Sequence, residues 1–310
     1  MATTTLIPTT PEALNELFGR GQHLVFEKGQ GDFTIARLIS PQAEATVSIY
    51  AGHVLSFVPN GQPPVLWVSK KAVYAEGKAI RGGVPVIWPW FGPHASNPDK
   101  PSHGFARKQN WEVHATRLMD NHIPQLRLTL QDNAFSYALW PHCFRLELVV
   151  TLSDVLDIDL EIVNTGKGPF DCGGALHTYF TASQIENVSI HGLNGRPYID
   201  QLDNHQTKYQ QTPITFAAET DNIYFNTKDT CRLVDSGFGR TVVVEKRGSS
   251  STVVWNPWID KAKRMADFGD EEYKTMLCIE TANAGPDVIT LNPGGEHRLG
   301  TTIGVLNSTS

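Results

Sequence analysis

Short runs of alternating apolar and polar residues follow one another along this 310-residue chain, and no long helical period separates them. HLVFEKG, FTIARLIS, ATVSIYAG and HVLSFVPN fill residues 23–60 almost without interruption, punctuated by Gly, Pro and Asn. The pattern returns in WEVHATRL, QLRLTLQD, FRLELVVTLS and VLDIDLEIVN, and again in TVVVEKRG, TVVWNP, DVITLNP and HRLGTTIGVL. A period of two is the signature of a strand with one face buried. Parallel pairing needs long crossovers, usually helical, so this succession predicts an all-β antiparallel sandwich. One helix is expected before it: Thr10 caps, Pro11 takes the first position, and Leu14, Leu17 and Phe18 supply an apolar face ahead of Gly19. Residues 1–21 are therefore read as an N-terminal extension with a short helix, and residues 22–308 as one β-sandwich domain.

Charge excludes some partners. A formal net charge of -6 supplies no basic face for nucleic acid. A local pair of arginines can still hold an anionic small molecule, since bidentate bonds act at short range. Cys143, Cys172, Cys231 and Cys278 are widely spaced and form no CxxC pair, which argues against a zinc site or a disulfide framework. The N-terminus carries no basic and then apolar leader, and no run reaches the roughly 18 apolar residues of a membrane span. A reduced, cytoplasmic monomer is the expectation, with no membrane partner.

Chemistry enters where ionisable residues interrupt apolar stretches. His177 lies in GGALHTYF and Glu280 closes the apolar run of MLCIE, and each must find a partner, reach solvent or be used. A strand histidine is commonly a satisfied core residue, and a carboxylate at a strand end is commonly exposed; a shared pocket would make the two an acid and a base. Arg81 precedes two glycines in RGGVPVIWPWFGP, and Arg107 closes HGFAR, where surface ion pairs compete with an anion grip. His103 has a hydroxyl ligand or a backbone carbonyl as its alternatives. Asp221, in ETDNIY, has a turn-prone setting, and Trp255, in WNPW, suits either core packing or a sugar face. Residues 81–101 hold five prolines and read as a long packed loop; residues 257–274 are polar, with a helical turn or two. The letters DFG at 267–269 have no kinase context, and no GxSxG elbow is present.

Taken in order, RGGVPVIWPWFGP, HGFAR, ALHTYF, ETDNIY, VVWNPW and LCIETAN resemble the D-hexose-6-phosphate mutarotases, also called glucose-6-phosphate 1-epimerases, of the aldose 1-epimerase superfamily. The resemblance implies a galactose-mutarotase-like sandwich, or supersandwich, with a sugar across one concave sheet. It implies His177 as general acid and Glu280 as general base. Arg81 and Arg107 would hold the phosphate, His103 would lie near the ring, and Asp221 would bind a hydroxyl. Ser102 stands where relatives can carry a larger polar residue. No metal or redox cofactor is implied, and the partner is a hexose 6-phosphate. A mutarotase of unphosphorylated aldoses and a non-catalytic carbohydrate-binding protein remain the alternatives, because fold does not determine activity.

Overall fold

The alternating segments become strands where the period of two is cleanest. In the computed structural model, which describes residues 9–307, the strand Leu156–Asn164 buries Leu156, Ile158, Leu160 and Ile162 and turns the residues between them outward. It lies near the middle of an eight-stranded antiparallel sheet, between the strands Phe144–Leu152 and Glu296–Asn307. A second eight-stranded sheet has Met276–Asn283 as its central strand, flanked by Ser251–Asn256 on one side and by Gly174–Leu176 and Tyr179–Thr181 on the other. Four strands between Leu24 and Pro59 make a smaller sheet, and Phe170–Cys172 pairs with Ile289–Leu291.

The core lies between the large sheets. Leu146, Leu148, Ile158, Leu160, Leu299 and Ile303 of one share a buried cluster with Leu176, Leu277 and Ile279 of the other. Each such side chain contributes about 1.5–3 kcal/mol of burial free energy. Because successive strand residues point to opposite faces, Met276, Cys278, Glu280 and Ala282 lie on the far side of the sheet from Leu277 and Ile279. One side of this strand therefore builds the core, and the other builds a site.

The expected helix spans Pro11–Phe18, with the Thr10 side chain accepting from Ala13 N at 3.4 Å. Leu14 is buried and Phe18 packs against the core, but Leu17 is 60% exposed. Asn15 does the docking that Leu17 does not: its side-chain amide exchanges two hydrogen bonds with the backbone of Phe26. Residues 1–8 of the N-terminal extension, and Ser308, lie outside the described residues.

One local reading is revised, one is met, and one helix is new. Residues 81–101 contain a two-residue strand, Val86–Ile87, paired with Gly174–Leu176, so the segment is built into the sheet. The 257–274 stretch forms a helix, Trp258–Arg264, and the start of a 3-10 turn, Glu272–Thr275. A further helix, Ala134–Leu139, is capped reciprocally by Asn133 and Ser136, a box closed by serine in place of the usual glutamate or glutamine.

Candidate active site

Glu280 occupies the interior of the strand Met276–Asn283, opposite Val253 of its neighbour, and is 1% exposed. The strand-end position expected for it is thus wrong. A mid-strand carboxylate on the site face has no route to bulk water along the chain, so it must meet a partner across the sheet.

That partner is His177. The neighbouring strand is interrupted at His177 and Thr178, between Gly174–Leu176 and Tyr179–Thr181, and Thr178 N folds back to Leu176 O at 2.9 Å. The backbone stays held on its other side, where His177 N donates to Pro85 O and Tyr179 N to Gly83 O. His177 accordingly does not follow a regular pleat, as the sequence pattern implied; the break directs its ring. Its Nε2 lies 3.3 Å from Glu280 Oε1, and its ring stacks on Tyr179 at 4.7 Å. Glu280 Oε2 is buried and has no hydrogen-bond partner among the described residues.

The pair sits in a cavity of about 390 Å³ that also collects Arg81, Ser102, His103, Arg107, Asp221 and Trp255. All six sequence-derived site residues therefore meet in one place. Larger hollows of about 520 Å³ exist elsewhere, but neither contains this set of ionisable groups.

Backbone geometry explains the glycines. Gly83, at φ +60°, packs so closely that a Cβ would fall 2.2 Å from Val54 O; His53 Nε2–H donates to Gly82 O at 2.7 Å beneath it. Gly104, at φ +67°, would place a Cβ 1.9 Å from Trp88 O, so only glycine lets HGFAR lie against Trp88. His103 takes φ +64°, and its Nδ1 accepts from Gly92 N at 3.2 Å. With Nδ1 accepting, the neutral ring carries its proton on Nε2, which makes that nitrogen a donor.

Asp221 lies in the strand Thr220–Phe225, not in a turn. Its Oδ1 accepts from Gln201 Nε2 at 2.5 Å, and Lys261 Nζ is 3.7 Å from Oδ2. Trp255, 8% exposed, belongs to an apolar cluster with Trp67, Tyr179 and Phe268 and also lines the cavity. The sequence analysis missed Gln201, Lys261 and Asp267, and gave Tyr179 no role. Their only signal was the polar 257–274 segment for two of them and the ALHTYF string for the tyrosine.

Electrostatics keep the central pair uncharged. Burial, then the Asp221 carboxylate, push Glu280 well above the usual carboxylate range, with Arg107 pulling the other way. Burial lowers His177 well below the ordinary imidazole value, assisted by His103, Arg107 and Arg81. His103 falls to about 3 for the same first reason. A single proton held by Glu280 and His177 together is the state both shifts favour. Cys278 Sγ completes a set of three donors within 4.8 Å, but burial holds its thiol well above its usual value, so it sits there as a neutral group.

An aldose 1-epimerase model matches residues 35–304 of the chain. The chain belongs to the aldose 1-epimerase family. Within that family, it is 37% identical over 269 residues to a Cenchrus ciliaris protein provisionally named glucose-6-phosphate 1-epimerase, covering 82% of this chain and 79% of the other. An Escherichia coli K12 protein with the same provisional name is 36% identical, covering 79% and 81%. The crystal structure of a Salmonella typhimurium protein, provisionally a mutarotase, superposes with a TM-score of 0.86 at 31% identity over 97% of both chains. A galactose mutarotase-like protein from Clostridium acetobutylicum shares the fold at a TM-score of 0.71 and 16% identity, over 92% and 98%. The aldose 1-epimerase fold is thus a galactose-mutarotase-like antiparallel β-sandwich. Among the described residues, no helix is long and apolar enough to cross a membrane.

Proposed function

We propose that this chain interconverts the α and β anomers of a D-hexose 6-phosphate, glucose 6-phosphate among them, using Glu280 and His177. The observation that carries this reading is the 3.3 Å contact between the two side chains in a cavity that two arginines also enter. A pair holding one proton needs only an internal transfer to present a carboxylate and an imidazolium. Glu280 then takes the proton of the anomeric hydroxyl as the C1–O5 bond breaks and C1=O1 forms. The bonding electrons go to O5, which takes the proton of His177. Rotation about C1–C2 turns the other carbonyl face to O5. On reclosure His177 recovers its proton from O5, Glu280 returns its own to O1, and the enzyme is unchanged.

The remaining residues suit binding. His103 Nε2–H faces its neighbours as a neutral donor, Asp221 with Gln201 suits a sugar hydroxyl, and Arg107 suits the phosphate. We propose in addition that residues 22–308 work as one domain, a reading supported by a buried cluster that runs through it from Leu24 to Ile303 and also takes in Leu14 of the N-terminal helix.

Saturation-transfer NMR of glucose 6-phosphate tests the reading. Wild type should accelerate exchange over the spontaneous rate, and Glu280→Gln and His177→Gln should each lose about 100- to 10,000-fold. No acceleration by folded wild type would turn the reading toward binding alone. Arg107→Ala should weaken exchange of the 6-phosphate while sparing free glucose; equal loss on both would sink the phosphate assignment.

A further inference from the structure

The two cavity arginines have opposite surroundings. Arg107 donates from Nη2 to Ser102 O at 3.1 Å, its Nε is buried without a partner, and no carboxylate among the described residues lies within ion-pair distance of it. Arg81 is already engaged. Its Nε and Nη2 donate to the two oxygens of Asp267 at 3.2 and 3.3 Å, and its Nη1 donates to the Tyr179 hydroxyl at 3.0 Å. This side-on fork is the arrangement an arginine also offers a phosphate.

We propose that Asp267 is a built-in competitor at the anion end of the cavity, occupying Arg81 and weakening the hold on a substrate phosphate. The proposal rests on the sugar-phosphate reading above. Asp267 belongs to the turn after the helix Trp258–Arg264, and that turn is fixed on both sides. Next to it, Phe268 is fully buried with its ring 5.2 Å from Trp67. Beyond, Glu272 accepts from Gly269 N at 2.7 Å, Ser69 Oγ at 2.6 Å and Lys70 N at 2.8 Å, tying the turn to the segment before Arg81.

The anchored turn keeps this carboxylate within reach of Arg81 when an anion arrives. Either the Arg81 fork turns from Asp267 to the phosphate, or the phosphate takes the remaining N–H groups in the field of a like charge. Both routes lower affinity. Such tempering has a kinetic rationale: the phosphate is identical in both anomers and in the transition state. Grip on it is uniform binding, which lowers KM without raising kcat and slows release.

Calorimetric titration of inorganic phosphate into wild type, Asp267→Asn, Arg81→Ala and the Arg81→Ala/Asp267→Asn double variant tests the proposal. Asp267→Asn should bind phosphate about 10-fold more tightly than wild type, as expected for removing one like charge from a binding site. The gain should vanish in the Arg81→Ala background, since it acts through that side chain. In parallel, Asp267→Asn should lower KM for glucose 6-phosphate more than it changes kcat. Unchanged, weaker or undetectable phosphate binding by Asp267→Asn would overturn the proposal and make Asp267 a positioning group for Arg81. Asp267→Ser, which also removes the charge, replaces Asp267→Asn in the comparison if thermal melting shows the first variant unfolded. Absent anomer exchange by wild type, with the phosphate pattern intact, would sink the function and leave this competitor role standing.

Discussion

Glu280 is a carboxyl group that the fold holds against its own preference. Its pKa in the folded chain is raised above 4.5 by burial and by Asp221, so the folded state keeps the proton that the unfolded state releases. Its contribution to stability is fully present below about pH 4.5 and is lost as pH rises toward the folded value. Glu280→Gln should therefore melt about 2–4 °C above wild type at pH 8, with a smaller gain at pH 5. Calorimetric scans at the two pH values check this, and a variant that melts lower at pH 8 would contradict a buried, unsatisfied carboxyl. His177 has the opposite sign: its folded value lies below 6.5, so its contribution is present above pH 6.5 and fades as pH falls. Catalysis needs one proton on the pair, so exchange should follow a bell-shaped profile whose limbs belong to the pair jointly. Limbs falling at the ordinary carboxylate and imidazole values, about 4.3 and 6.5, would contradict it, since the burial shifts of the two groups move the limbs apart.

At the scale of elements, the site depends on two departures from regularity. One is the gap at His177 and Thr178 beside an unbroken strand; the other is the close lie of HGFAR against Trp88. Gly104→Ala should destabilise the chain by about 1–3 kcal/mol from its positive φ alone, with the Trp88 O contact adding to that. Because His103 precedes it, exchange should fall more than stability does, as paired denaturant and NMR measurements would reveal; wild-type values for both would refute the packing argument. The long regular strands were legible because Leu156–Asn164 and its like repeat apolar residues strictly. Five strands between Val188 and Asp235 were not among the segments read as strands from sequence. Gln206–Tyr209 shows why: it is a mostly exposed edge strand, and without a buried face it carries no period of two.

For the molecule as a whole, the unpaired Arg107 predicts how ligand and salt act together. Phosphate or glucose 6-phosphate at about 100 times its Kd should stabilise the fold by about 2.7 kcal/mol. Arg107→Ala should abolish most of that gain, and moderate salt should reduce it in wild type by screening the charge. Thermal shift across a salt series measures both, and protection by phosphate that survives Arg107→Ala would place the anion elsewhere. The sequence by itself determined the strand-rich class, the helix start at Thr10 and the residue types at six positions of the site. These follow from neighbours along the chain: alternation, capping, and ionisable groups set in apolar runs. Only the tertiary structure decided that Glu280 lies mid-strand, that His177 lies in a break, and that Arg81 is paired while Arg107 is not. Those outcomes depend on contacts between distant residues, such as Arg81 with Asp267 at a separation of 186 positions. Burial and charge at that range are properties of packed sheets, and no local pattern encodes them.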